Sequence, residues 1–171
     1  MPSAPDVRSP AVTLRRATDA DRELLLAVYR STRAAELDLV PWDEATKTAF
    51  VTQQFEAQDR AWSQQRPEAV RDVVLVDGVP AGRLYVDRTV DEIRVVDISL
   101  LPEHRGRGVG QALLEPVLAE GDRDGLPVTI HVERHNPALR LYARLGFEVG
   151  EDLGGVYLFL SRPARQPKTA S

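Results

Sequence analysis

The chain has 171 residues, 43% of them hydrophobic and 28% charged, which predicts a single folded domain with a core of its own. It has no cysteine, which excludes disulfides, thiolate metal sites and a cysteine nucleophile. The net charge of −4 argues against nucleic-acid binding, and the three histidines lack the spacing of a zinc site. Because we find no apolar window that would span a membrane and no signal peptide, we expect a cytoplasmic protein.

Proline-rich segments mark both ends of the chain. Residues 1–11 and 162–171 have the composition of loose, disordered arms. The folded body is therefore predicted to be residues 12–161, without internal repeats.

Hydrophobic periodicity and turn residues define the elements of this body. In chain order they are a strand (12–16), a helix opened by Thr18 and Asp21 as in a capping box, a link (33–42), a helix (43–64), a hairpin (73–86), a strand (92–101), a helix (109–120), a strand (128–133), a helix ending at 145 and a hairpin (147–160). Asp77-Gly78 suits the first hairpin turn, Gly121 is expected just past the third helix, and Asn136 with Pro137 is expected to start the fourth. Strands separated by helices predict an α/β (α+β) layered fold, with a mixed, largely antiparallel sheet of six to seven strands flanked by four helices.

The segment Arg105-Gly-Arg-Gly-Val-Gly110 lies between a predicted strand and a predicted helix. Its glycines let a ligand approach the backbone, and the helix start offers free N–H groups, so the turn predicts an anion site, typically for phosphate. Neither a dinucleotide fingerprint nor a P-loop fits, because the third glycine comes one position early and the lysine is missing. A glycine turn selected for packing alone is the alternative.

A second motif, Asn136-Pro-Ala-Leu-Arg-Leu-Tyr-Ala-Arg-Leu-Gly-Phe147, follows the glycine turn. Together the two resemble the GNAT superfamily of acyl-CoA-dependent N-acetyltransferases, over about residues 12–160. The matching residues are Arg105, Gly108 and Gly110 in the first motif, and Asn136, Ala138, Leu141, Tyr142, Gly146 and Phe147 in the second. Asn136 stands six residues before Tyr142 where many members have seven, so helix capping is an alternative to cofactor contact for Asn136.

The resemblance implies a GNAT-like fold that binds acetyl-CoA without a metal, between two central strands that part and along the glycine turn. The implied cofactor-binding residues are Ile98, Leu100, Leu101, Arg105, Gly106, Arg107, Gly108, Val109, Gly110, Gln111 and Asn136. An amide near Leu100 would stabilise the oxyanion, and Tyr142 would protonate the leaving thiolate. The amine would attack the thioester directly.

The base that deprotonates the acceptor is left open between several groups. His131 and Glu133 share one face of their strand and are the first candidates. Glu92, Asp97 and a water relay are the rivals.

By the same resemblance, the first two helices and their link would form the acceptor wall. Residues 36–59 carry six carboxylates against one lysine, which predicts a cationic small-molecule or protein amine as acceptor; a solvated helix face is the alternative. The predicted function is acetyl-CoA-dependent N-acetyl transfer. The alternatives are transfer of another acyl group, a non-catalytic CoA-binding sensor or interaction module, and a nucleotide-binding regulator. No membrane partner is expected, and a homodimer is compatible with the resemblance.

Overall fold

A computed structural model describes residues 8–166 of the chain. The strands are β1 (Val12–Arg16), β2 (Val70–Val76), β3 (Val79–Arg88), β4 (Ile93–Leu100), β5 (Val128–Glu133), β6 (Glu148–Leu153) and β7 (Tyr157–Arg162). The helices are α1 (Arg22–Asp38), α2 (Glu44–Gln65), α3 (Val109–Asp124) and α4 (Leu139–Arg144), with short 3₁₀ turns at Asp19–Asp21 and Pro102–His104. The strand order is β1-β2-β3-β4-β5-β7-β6, with β4 and β5 as the parallel pair, so the predicted fold class is confirmed.

Two hydrophobic clusters lie on opposite faces of this sheet. The larger one joins β2–β5 and β7 to α3 and α4, and includes the fully buried Val95, Leu114 and Val128. The smaller one joins α1 to α2 through Tyr29 and Phe55. The sheet is therefore covered on both faces.

Two local predictions, the capping box at Thr18 and the hairpin turn at Asp77-Gly78, are confirmed. The carboxylate of Asp21 accepts the N–H of Thr18 at 2.8 Å, as in a capping box, and also accepts two bonds from Arg15 at 2.7 and 2.9 Å. The Arg15 bonds and the Thr18 bond lower the pKa of Asp21 from 3.8 to about 2. The β2–β3 turn has φ of 50° at Asp77 and 80° at Gly78, as a two-residue hairpin turn requires.

The expected link over residues 33–42 is wrong. Helix α1 continues to Asp38, and only residues 39–43 connect it to α2. The run Arg-Ala-Ala-Glu-Leu-Asp that closes α1 consists mostly of good helix formers. Leu37 in this run is buried between the two helices, and its burial holds the last turn in place.

The predicted end of α3 is also wrong. Gly121 lies inside the helix, which ends instead at Gly125 with φ of 69°. A Cβ at Gly121 would lie 2.8 Å from the carbonyl oxygen of Leu126 and 2.9 Å from Val128. Gly121 is therefore required by the close return of the chain toward β5, and Gly125 is the residue that caps the helix.

The segment before α4 begins as predicted, but the helix starts later. The Oδ1 atom of Asn136 accepts the N–H of Ala138 at 2.8 Å. Because residues 136–139 first form a tight turn, closed by the N–H of Leu139 on the carbonyl of Asn136 at 3.1 Å, regular helix begins at Leu139 and not at Pro137.

Strands β4 and β5 separate, as expected. They pair only through Ile93–Val95 and Val128–Ile130. The next residue, Val96, is an extra residue in the pairing of β4 with β3, which is a β-bulge. Because a bulge bends its strand, β4 follows β3 to Leu100 while β5 follows β7 to Glu133. The gap between them is open at the ends of both strands.

The last strand runs one residue into the predicted tail. Arg162 is buried and donates to Asp122 at 2.6 and 3.0 Å, and Asp122 also accepts the N–H of Arg165 at 2.6 Å. Residues 1–7 and 167–171 of the predicted arms lie outside the described residues. Within residues 8–166, no helix combines the length and the apolar character that crossing a membrane needs.

Candidate active site

A cleft of about 1350 Å³ opens where β4 and β5 separate. This volume exceeds the roughly 300–1,000 Å³ of common small-molecule pockets, so the cleft has room for two ligands. Twelve of the residues predicted for the site line it: Ile98, Leu100, Arg105, Gly106, Gly108, Val109, Gly110, Gln111, His131, Glu133, Asn136 and Tyr142. Leu101 and Arg107 do not line it.

The glycine turn delivers the start of α3 to the cleft. Gly106 and Gly108 have φ of 69° and 78°, values that favour glycine, and no described side chain caps the helix that begins at Val109. The N–H groups of its first turn are therefore free, at the positive end of the helix dipole. A Cβ at Gly110 would lie 3.1 Å from Leu141, so the missing side chain lets α4 pack against this turn.

The two arginines of the turn have different surroundings. Arg105 donates from Nε to the carbonyl of Leu100 at 2.9 Å and from Nη2 to Ser31 at 3.0 Å. It ties the turn to β4 and α1, and Nη1 and the second hydrogen of Nη2 are left for an anion. Arg107 is exposed and does not line the cleft.

The free edge of β4 offers backbone groups to the gap. The N–H of Leu101 donates to the carbonyl of Ala81 at 2.8 Å, and its carbonyl accepts the N–H of His104 at 3.0 Å. The N–H of Leu101 is therefore not free for a ligand, and Leu101 offers the gap less than its predicted role in binding the cofactor assumed. Because backbone groups alternate sides along a strand, the N–H groups of Leu100 and Ile98 face the gap.

Tyr142 places a protonated hydroxyl in the cleft. Its side chain is only 3% exposed, and its ring meets Phe147 edge-on with the centroids 5.7 Å apart. The N–H of Phe147 donates to the carbonyl of Tyr142 at 3.0 Å across Gly146, which closes α4. The hydroxyl has no hydrogen-bond partner within residues 8–166. Burial and the charge of Asp97 raise the pKa of Tyr142 well above its usual value, so the hydroxyl keeps its proton.

His131 and Glu133 both face the cleft, each beside an arginine. The ring nitrogens of His131 lie 3.3 and 3.4 Å from Nη1 of Arg94. Partial burial, Arg94 and Arg66 lower the pKa of His131, which keeps the ring neutral and able to accept a proton. The carboxylate of Glu133 accepts a bond from Arg33 at 2.9 Å.

The rival bases differ in access to the cleft. Glu92 does not line it: its carboxylate accepts from Thr129 at 2.6 Å and pairs with Arg94 at 3.1 Å, and these partners lower its pKa although burial opposes them. Asp97 lines the cleft and pairs with Arg83 at 2.6 Å. Within residues 8–166, no group of three or more His, Asp and Glu side chains is arranged to hold a metal ion.

Comparison with known proteins decides the family. The model of the acetyltransferase (GNAT) family matches residues 33–147, which contain both motifs and most of the cleft. The chain belongs to the GNAT family. The resemblance carried by the two motifs is thereby confirmed.

Relatives of this GNAT protein include enzymes with different acceptors. It is 39% identical over 88 residues to the mycothiol acetyltransferase of Brachybacterium faecium. The aligned residues make up 50% of this chain but only 27% of that protein. The PaiA N-acetyltransferase of Thermoplasma acidophilum, solved with coenzyme A, superposes with a TM-score of 0.67 at 18% identity over 90% of this chain and 99% of that one. For the ribosomal-protein-S18-alanine N-acetyltransferase of Escherichia coli, the TM-score is 0.58 at 20% identity, over 94% of this chain and 99% of that one. These structures show a shared fold.

The GNAT cleft is also lined by residues that sequence reasoning missed. They are Tyr29, Arg33, Trp62, Arg66, Arg83 and Arg94. The signal that could have found them is Arg83, a charge within the apolar run Ala81–Val86 of β3. A charge on a buried strand needs a partner and therefore marks a polar site.

The acidic residues that predicted a cationic acceptor mostly face away from the GNAT cleft. Of the six between residues 36 and 59, only Glu36 lines it. Glu44, Glu56 and Asp59 are instead paired with arginines on α1 and β2. The charge argument for a cationic acceptor therefore lacks support from the geometry.

Proposed function

We propose that this GNAT protein transfers the acetyl group of acetyl-CoA to a primary amine by direct attack on the thioester. The observation that carries the proposal is one cleft that combines the β4–β5 gap, the uncapped start of α3 and the buried hydroxyl of Tyr142. The gap supplies a strand edge for the pantetheine arm. The helix start supplies an anion site for the pyrophosphate, and the hydroxyl supplies a proton for the leaving thiolate.

The residues present suit a CoA thioester. The N–H groups of residues 108–111 would hold the pyrophosphate, with Nη1 of Arg105 beside them. The backbone of Ile98 would pair with a pantetheine amide, and the N–H of Leu100 would face the thioester carbonyl. The related fold from Thermoplasma acidophilum was solved with coenzyme A, which supports this assignment.

The reaction needs one proton taken up and one given. The amine nitrogen bonds to the thioester carbon, the N–H of Leu100 would stabilise the oxyanion, and the C–S bond then breaks. Tyr142 would protonate the thiolate. The acceptor ammonium would first lose a proton to His131, Asp97 or Glu133, directly or through water.

Calorimetric titration with acetyl-CoA, NAD and ATP tests donor binding, and release of free CoA with a panel of amines tests turnover. A thiol reagent reports only CoA, since the chain has no cysteine. We expect acetyl-CoA to bind and amines to be acetylated. Binding of NAD or ATP without acetyl-CoA would refute the proposal. Acetyl-CoA binding without turnover would identify a non-catalytic CoA-binding module. Faster turnover of propionyl- or succinyl-CoA than of acetyl-CoA would identify an acyltransferase with a different donor.

A further inference from the structure

Two guanidinium groups lie against one aromatic ring on the acceptor side of the cleft. The Cζ atom of Arg33 is 5.6 Å from the ring centre of Tyr29, and that of Arg83 is 6.0 Å from it. Both arginines line the cleft, and two cations that line one cleft favour a bound anion. The anions that accompany each arginine therefore decide what this wall can bind.

Arg83 is an almost fully buried cation with one nitrogen to spare. It is 3% exposed, and it donates from Nε to Asp97 at 2.6 Å and from Nη2 to Gln58 at 3.1 Å. Its Cζ atom lies 5.3 Å from the ring centres of Trp62 and Tyr85. Nη1 meets hydrogen-bond geometry with no side chain in the described part of the chain, although the Tyr85 hydroxyl also acts on this guanidinium. Nη1 is not an enclosed, unpartnered atom, so it is open to the cleft that Arg83 lines, and a ligand anion can reach it there.

Arg33 also has donors to spare. Its Nη1 is shared by Glu133 at 2.9 Å and Glu36 at 3.2 Å, two carboxylates that are themselves 43% and 66% exposed. Nε and Nη2 have no partner that meets hydrogen-bond geometry among residues 8–166. The Nε–Nη2 edge of a guanidinium matches both oxygens of a carboxylate.

Asp97 supplies the opposite charge next to Arg83. Its Oδ2 atom accepts from Arg83 and, at 2.9 Å, from Ser99, while Oδ1 has no partner in residues 8–166. Asp97 and Tyr142 line the same cleft, and the charge of Asp97 contributes to the raised pKa of Tyr142. Asp97 can therefore receive an ammonium group beside the proposed acid.

We propose that the acceptor is a small molecule with a carboxylate beside its amine, an amino acid or close derivative, whose carboxylate is bound by Arg33 and Arg83 and whose ammonium is bound by Asp97. This inference rests on the proposed function and names its acceptor class. Among the described residues, seven arginines and three carboxylates line the cleft, a balance that favours an anionic group. A polyamine would bring no negative charge to the two guanidinium groups.

The first test changes the substrate and leaves the protein intact. Each common L-amino acid is compared with its carboxamide and its decarboxylated amine, and kcat/KM is measured from CoA release. Since the carboxylate makes charge-assisted bonds, we expect its loss to reduce kcat/KM by roughly ten- to a hundredfold for the preferred acceptor. Equal or faster turnover of the carboxamides and decarboxylated amines overturns the inference and leaves the proposed function standing.

The second test changes one arginine. Arg33→Gln should raise KM for the amino acid by about tenfold and leave KM for its carboxamide unchanged. Arg30→Gln is the matched control, because Arg30 lies on the same helix, bonds to Thr48 and Glu44, and does not line the cleft. An equal rise of KM for both acceptors in Arg33→Gln would show that Arg33 does not recognise the carboxylate.

Ligand binding is measured apart from turnover by the fluorescence of Trp62 in a Trp42→Phe background, with N-acetyl amino acids added to CoA-saturated protein. Trp62 lines the cleft and Trp42 does not. Carboxylate-dependent binding without turnover of any amine would overturn the proposed function and keep the anion site. Turnover of amines without a carboxylate preference overturns the anion site alone.

Discussion

Replacing Tyr142 with Phe removes a single oxygen from the cleft. The hydroxyl has no partner within residues 8–166, and the ring contact with Phe147 does not involve it. We therefore expect the free energy of unfolding to change by no more than about 0.5 kcal/mol. A general acid contributes roughly 10²–10⁴ in rate, so kcat should fall at least about a hundredfold, or about 2.7 kcal/mol in activation free energy.

The assay is kcat from CoA release, with the Kd of acetyl-CoA measured by calorimetry and expected to stay unchanged. Tyr157→Phe is the matched control, since Tyr157 also lines the cleft but is 42% exposed. Because burial and Asp97 raise the pKa of Tyr142, wild-type kcat should show no loss from Tyr142 ionisation between pH 7 and about 10. Unchanged kcat in Tyr142→Phe, or an equal loss in Tyr157→Phe, would refute the assignment.

The remaining predictions concern three backbone or charge positions. Gly108→Ala should weaken acetyl-CoA binding about tenfold in calorimetry, because a side chain at φ 78° strains the turn that presents the N–H groups. Gly125→Ala is the control, at φ 69° at the other end of α3, and should leave the Kd of acetyl-CoA unchanged. Equal effects of the two substitutions would count against the anion site. Gly82→Ala puts a Cβ in steric conflict with the carbonyl oxygen of Ser99 on β4, so the free energy of unfolding in urea should fall by about 2–4 kcal/mol. A fall of less than about 0.5 kcal/mol would contradict this. Asp21→Asn should lower the melting temperature at neutral pH. Because Arg15 and a backbone N–H lower the pKa of Asp21 from 3.8 to about 2, this difference should fade as the pH falls through that interval, and a constant difference would disprove the linkage.

Residue preferences for turns and caps correctly predicted the segments whose conformation depends on their own residues. Asp77-Gly78 forms its turn because both residues tolerate positive φ, and Gly106 and Gly108 do so before α3. Gly121 misled the prediction because it is required by a backbone passing nearby, which no local pattern reveals. The extension of α1 likewise depends on Leu37 meeting a second helix.

The candidate site was predictable on its donor side and hidden on its acceptor side. The glycine turn and Tyr142 belong to contiguous motifs, so the residues that surround them are also their neighbours in the sequence. The wall around Arg83 combines residues from four separate elements, including Gln58, which is 25 positions away. The acidic run of α1 and α2 gave no guide to the cleft, because the arginines that pair with Glu44 and Glu56 are visible only in three dimensions.

The bulge at Val96 changes the alternation of side chains along β4. Before it, the cleft-facing side chain is the even-numbered Arg94; after it, the cleft-facing side chain is the odd-numbered Asp97. Without Val96, Val95 and Asp97 would pair with Val86 and Tyr85 without interruption, and side chains that alternate along the strand would leave Asp97 on the same face as Arg94. Val96 therefore supplies the bend of β4 and not the facing of Asp97. Deleting it would remove the bend that takes β4 away from β5, and the gap that forms the cleft would narrow while Asp97 kept its side.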